Sequence, residues 1–172
     1  MRSSRTLSGL FFVFALLFAS ASFAQQDKSK RPSPPDSVTG KVRGATITIN
    51  YSSPSVKGRK IFGGLEAYGK VWRAGANEAT TFETNKEIKV EGQSLPAGKY
   101  GLFMIPGEKE WTVIFNKVPN QWGAFTYDAT KDQLRVTVKP RTVSMHERLV
   151  YVINKDGFSL IWDTVEVPVR IE

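Results

Sequence analysis

Lys99 to Asn116 reads KYGLFMIPGEKEWTVIFN, and this stretch decides the fold class. Pro106-Gly107-Glu108-Lys109 is turn chemistry between two apolar runs, so KYGLFMI and WTVIFN read as the strands of a hairpin. The first run is apolar at consecutive positions, not alternate ones. A strand of that kind is covered on both faces and belongs in the middle of a sheet.

Working outward, the flanking segments alternate. Ala45, Ile47, Ile49 and Tyr51 share one face of a strand, with Thr46, Thr48 and Asn50 on the other. Ser37 to Val42 pairs with it across Arg43-Gly44. Thr80 to Thr84 is a short strand. Ile88 and Val90 alternate with Lys and Glu ahead of a turn at Glu91-Gly92. Downstream, Leu134, Val136 and Val138 alternate again. Leu149 to Ile153 turns at Asn154-Lys-Asp-Gly157 into Phe158 to Trp162. The last strand carries Val165, Val167, Val169 and Ile171, and Pro168 marks it as an edge, because proline donates nothing to a ladder. These spacings predict an all-β protein, a mostly antiparallel, jelly-roll-like β-sandwich of about nine strands.

Residues 1–24 read as an export signal. Arg2 and Arg5 precede an apolar run from Leu10 to Ala19, and Ser22-Phe23-Ala24 supplies the small residues of a cleavage site. The run is shorter than the roughly 20 residues of a membrane-spanning helix. Gln25 to Pro35, QQDKSKRPSPP, reads as a flexible tether. Residues 36–172 then form one domain, large enough to bury a core without the cysteines this chain lacks. After cleavage, 22 Lys and Arg face 16 Asp and Glu, a net charge of +6. The charges are mixed and no basic run appears, which speaks against nucleic acid. An anionic envelope surface or an acidic ligand fits the balance better.

Between the strands lies GRKIFGGLEAYGKVWRAGANEATT, Gly58 to Thr81, with five of the fourteen glycines between Gly58 and Gly75. Ile61, Phe62, Leu65, Tyr68, Val71 and Trp72 make it too apolar for disorder. It reads as an ordered, glycine-shaped loop folded back on the core. A second irregular segment, Lys117 to Lys131, holds Trp122, Phe125 and Tyr127.

Most enzyme constellations are excluded. The single histidine, His146, cannot supply a zinc site, and no G-x-S-x-G elbow accompanies it. Gly58-x4-Gly63 lacks the Lys-Ser of a phosphate loop, and no calcium loop is present. No metal and no cofactor is implied.

The residues left to carry a function are in the loop. Arg73, Asn77 and Glu78 lie within six positions, and Gly75 lets the chain turn so that they face one spot. With Arg59, and with Tyr68, Trp72 and Trp122 as apolar walls, they make a candidate site for a small polar or anionic ligand or an envelope glycan. The plainer alternative is that Arg73 and Glu78 pair and hold the irregular backbone in place. Two further readings stand beside these. In one, Glu78 acts as acid or base in a hydrolase of envelope carbohydrate, paired with Glu66 or Glu83. In the other, the edge strand Val165 to Ile171 pairs with a partner.

GRKIFGGLEAYGKVWRAGANEATTFET, LPAGKYGLFMIPGEKEWTVIFN and QWGAFTYDATKDQLRVTVKP together resemble a family of exported bacterial proteins, domain of unknown function 2911, frequent among Bacteroidetes. The resemblance runs from about Pro32 to the C-terminus and implies a single exported domain. It implies no activity and no site residues. In that company, Asp36-Ser37-Val38 and Asp163-Thr164-Val165 are similar to a short O-glycosylation motif, although the second is as readily a turn.

Overall fold

The structure, a computed structural model, describes residues 27–172, so the export signal read at residues 1–24 lies outside the described residues. Strands are β1 (Pro35–Val42), β2 (Ala45–Ser52), β3 (Thr80–Thr84), β4 (Ile88–Val90), β5 (Gln93–Leu95), β6 (Gly98–Ile105), β7 (Trp111–Asn116), β8 (Asp132–Val138), β9 (Arg141–Asn154) and β10 (Gly157–Arg170). Six of them form one sheet in the order β1-β2-β3-β6-β7-β8, and the β9–β10 and β4–β5 hairpins stand apart. Every ladder is antiparallel. The large sheet is a meander interrupted once, where the chain leaves for β4 and β5. The whole is an open, sandwich-like all-β fold.

Side-chain alternation explains the layers. Tyr100, Leu102 and Met104 of β6 point into the main core with Ile47, Ile49, Phe82, Val113 and Phe115. Against them pack Leu149, Tyr151, Phe158, Leu160 and Trp162 of the long hairpin. Tyr51 meets Tyr151 edge-on at 4.8 Å, and Phe82 meets Phe158 at 5.4 Å. The odd residues of β6 face the other way. Phe103, with Ile114 and Ala79, forms a second, smaller core beneath Val71, Ala124 and Tyr127. β6 is apolar on both faces because both faces are covered.

The second core is roofed by residues 117–131. The Lys117 N–H donates to the Lys131 carbonyl at 2.9 Å and closes the neck of this loop. Asp132 fixes its far end, accepting from Tyr127 Oη at 2.6 Å, Arg135 Nε at 2.6 Å and Asn116 Nδ2 at 2.7 Å.

The long hairpin departs from the sequence reading. Phe158 to Trp162 and Val165 to Ile171 are not two strands. They are one strand, β10, bent at Asp163, whose φ is +56° and beside which the register against β9 shifts. The edge expected at Val165 to Ile171 is partly taken. Lys89 and Glu172 exchange backbone bonds, and the Glu91 N–H donates to the Arg170 carbonyl. Val167, Val169 and Ile171 are buried. β9 also begins earlier than its apolar run, at Arg141.

Candidate functional site

Residues 53–79 connect β2 to β3, and their backbone is set by contacts on both sides. Trp72 exchanges two main-chain hydrogen bonds with Met104. The Ala74 carbonyl accepts from Thr80 Oγ1 at 3.0 Å and from Tyr151 Oη at 2.8 Å. Gly75 is wedged beneath β2. A Cβ there would lie 2.8 Å from Thr80 Oγ1 and 3.2 Å from the Ser52 carbonyl, so no larger residue fits without displacing backbone.

The candidate residues divide into three groups. Trp72 is core and not a wall, a correction to the sequence reading. It is 3% exposed, donates from Nε1 to the Gly75 carbonyl at 3.0 Å, and stacks on Trp162 at 5.9 Å. The backbone pairing with Met104 turns the indole inward. Arg59 holds the loop. Its Nε donates to the Val56 carbonyl and its Nη2 to the Ser55 carbonyl.

Arg73, Glu66 and Tyr68 form the second group. Among the described residues the Arg73 side chain makes no hydrogen bond and no ion pair, and its Nε is buried without a partner. The expected Arg73–Glu78 pair does not form. Glu66 is half-buried, and burial pushes its carboxyl up to about 7 although the Arg73 and Arg59 charges pull the other way. Tyr68 is exposed and lays its ring over Gly63.

Asn77, Glu78 and Trp122 make the third group and are brought together. Asn77 has φ +57°, its Nδ2 donates to the Ser33 carbonyl at 2.9 Å, and its own carbonyl accepts from the Gly123 N–H at 3.1 Å. Glu78 and Trp122 form an antiparallel bridge. The Glu78 carboxylate accepts both from Arg31 Nη1, at 2.9 and 3.1 Å, and from Lys28 Nζ at 2.9 Å. Burial would raise this carboxyl, but hydrogen bonds from Lys28, its own backbone and Arg31 hold it at about 2. A general acid needs the opposite shift, so the chemistry read into Glu78 loses its proton donor.

This third group edges an open groove of about 620 Å³. Its floor is the outward face of β2 and β3, where Asn50 Nδ2 reaches Thr81 Oγ1 at 3.4 Å. Gln121 and Trp122 form one side, Lys28 and Lys99 the other members of its rim. Trp122 is 55% exposed. Arg59, Glu66, Tyr68, Trp72 and Arg73 do not line it. Sequence reasoning missed Asn50, Thr81, Gln121, Lys28 and Arg31. The polar face of the strand at Thr46, Thr48 and Asn50 was a signal for one of them, Asn50. Among the described residues no group of His, Cys, Asp or Glu could hold a metal, and no helix is long and apolar enough to cross a membrane.

The profile of the family described as Protein of unknown function (DUF2911) matches residues 33–171. The chain belongs to the DUF2911 family. No curated protein and no solved structure matches it. Within this DUF2911 domain, Asn77, Glu78, Trp122 and the groove floor fall inside the matched span, whereas Lys28 and Arg31 precede it.

Proposed function

We propose that this DUF2911 protein is an exported, non-enzymatic binding module for a small polar ligand of the carbohydrate class, held in the groove beside Trp122. The observation that carries the reading is an indole left half in solvent on the loop between β7 and β8, next to the amides and hydroxyl of Asn50, Gln121 and Thr81. Sugars are recognised by that combination: an aromatic face for their C–H surface and planar amides for their hydroxyls. The volume of about 620 Å³ lies within the range of small-molecule sites. The ionised, doubly paired Glu78 favours binding over acid–base chemistry.

Calorimetric titration of the domain with neutral and acidic mono- and disaccharides tests this. At least one should bind, and Trp122→Ala should remove the binding without lowering the unfolding temperature. Failure of every sugar to bind, or binding unaffected by Trp122→Ala, overturns it.

A further inference from the structure

Residues 27–34 read DKSKRPSP, a string that looks like tether, yet it is held at five points. Asp27 caps a short 3-10 turn over Lys28–Lys30, its carboxylate accepting from the Ser29 N–H at 3.0 Å. A 3-10 turn has three residues per turn, so positions i and i+3 stand on one side. That geometry aims Lys28 and Arg31 together at Glu78. The Arg31 guanidinium also lies over the Trp122 ring, 5.9 Å from its centroid. Two main-chain carbonyls complete the attachment. Ser33 accepts from Asn77 Nδ2, and Pro34 accepts from the Ser53 N–H at 2.9 Å.

None of residues 27–34 is buried, so no apolar packing holds the segment. The contacts instead have the form of peptide recognition. A carboxylate and an aromatic face read two cations at fixed spacing, and an amide and an N–H read the backbone. Glu78, Asn77 and Trp122 would present the same groups to any chain of that kind.

We propose that the corner formed by Asn77, Glu78 and Trp122 is a recognition site for an extended basic peptide with a Lys-x-x-Arg spacing, occupied in cis by residues 27–34. The site shares Glu78 and Trp122 with the sugar groove but requires no sugar. While the segment is docked, Arg31 covers part of the indole. The segment is therefore a displaceable cover, and a basic segment of another chain competes for its place.

The full chain carrying Lys28→Ala and Arg31→Ala vacates the corner. Trp122 is the one exposed tryptophan of the four, since Trp72, Trp111 and Trp162 are buried, so acrylamide quenching reports on it selectively. Quenching should rise in the double variant. The peptide DKSKRPSP, added up to millimolar concentration, should shift the Trp122 indole and Asn77 side-chain amide resonances of that variant and reverse the rise in quenching. Adding Glu78→Gln should weaken the peptide about tenfold, the factor expected for charge-assisted hydrogen bonds. Unchanged quenching in the double variant overturns the docking in cis. Peptide binding that survives Glu78→Gln, or no resonance shift, overturns the recognition site. Neither result depends on whether a sugar binds.

Discussion

Trp72 and Met104 face each other as an antiparallel pair, Trp72 N–H to Met104 carbonyl at 2.8 Å and the reverse at 2.9 Å. β3 begins only at Thr80, opposite Leu102, so β6 would otherwise run on beyond Leu102 with an open flank. A residue of the glycine-rich loop takes the missing place. The pairing puts the indole in the main core, with Phe62 at 5.9 Å, Trp111 at 6.4 Å and Trp162 at 5.9 Å. Trp72→Ala should cost about 3–5 kcal/mol of stability, the usual range for removing a buried aromatic. Trp72→Phe should cost less but leave the Gly75 carbonyl without its donor. Urea unfolding measures both, and a change below about 1 kcal/mol in Trp72→Ala would contradict the core assignment.

Glu78 makes docking of residues 27–34 sensitive to acid. Its carboxyl sits at about 2 against an ordinary 4.5. The folded pKa is depressed, so the associated stabilisation is complete above about 4.5 and is lost as pH falls toward 2. Glu78 is 39% exposed and Lys28 is 56% exposed, so the ion pairs contribute no more than about 1 kcal/mol to global stability. The local effect should be plainer. Quenching of Trp122 in the unaltered chain should climb between pH 4.5 and 2, and Glu78→Gln should show the high value already at neutral pH. A flat pH profile would show that these ion pairs do not hold the segment.

Glu66 behaves in the opposite sense. Burial raises its carboxyl from 4.5 to about 7, so between those values it stays protonated in the folded chain and ionises in the unfolded one. The folded state binds more protons there, and stability falls as pH rises through the window. Glu66→Gln removes the cost. The variant should match the unaltered chain near pH 4.5 and exceed it above pH 7, by on the order of 1 kcal/mol once partial exposure is allowed for. Urea midpoints at pH 5 and pH 8 give the comparison. A gap that does not grow with pH would place Glu66 in solvent.

What the sequence disclosed follows from which segments have a simple environment. β2 and β8 alternate because one face of each meets the main core, and a period of two reports that directly. β6 is apolar throughout because a second core lies on its far side, so its central place was legible too. The first half of β9 was not. Thr142, Ser144, Met145 and Glu147 are all exposed, and a strand bare on both faces carries no pattern. In the candidate site, Asn77, Glu78 and Trp122 do converge, but Trp72 and Trp122 could not be told apart. Both stand in irregular backbone, where side-chain direction is set by distant partners, Met104 for one and Glu78 for the other. Lys28 and Arg31 were hidden for a different reason. A polar, proline-rich string has tether composition, and only the 3-10 turn at Asp27 gives its cations a common direction.

The start of β9 is fixed by one buried acid. Glu166, 8% exposed, accepts from Arg141 Nε and Nη2 at 2.8 Å each and from Ser159 Oγ at 2.7 Å. It ties the first residue of β9 to β10 just beyond the bend at Asp163, where the ladder is irregular. The bidentate bond from Arg141 is the first cause that lowers the Glu166 carboxyl, so its stabilising effect is present above the ordinary carboxylate range and disappears in acid. Arg141→Ala leaves a carboxylate that is nearly out of solvent with only Ser159 to satisfy it. Arg141→Ala should therefore lower the urea midpoint, by less than the loss of a fully buried pair would, because Arg141 is 64% exposed. Glu166→Gln keeps a hydrogen-bonding side chain for Ser159 and removes the buried charge, so it should cost less than Arg141→Ala. In both variants amide exchange should quicken across residues 141–147 before it does at Leu149 or Tyr151, which lie in the main core. Uniform exchange along β9 would mean that the hairpin is held by its apolar half alone.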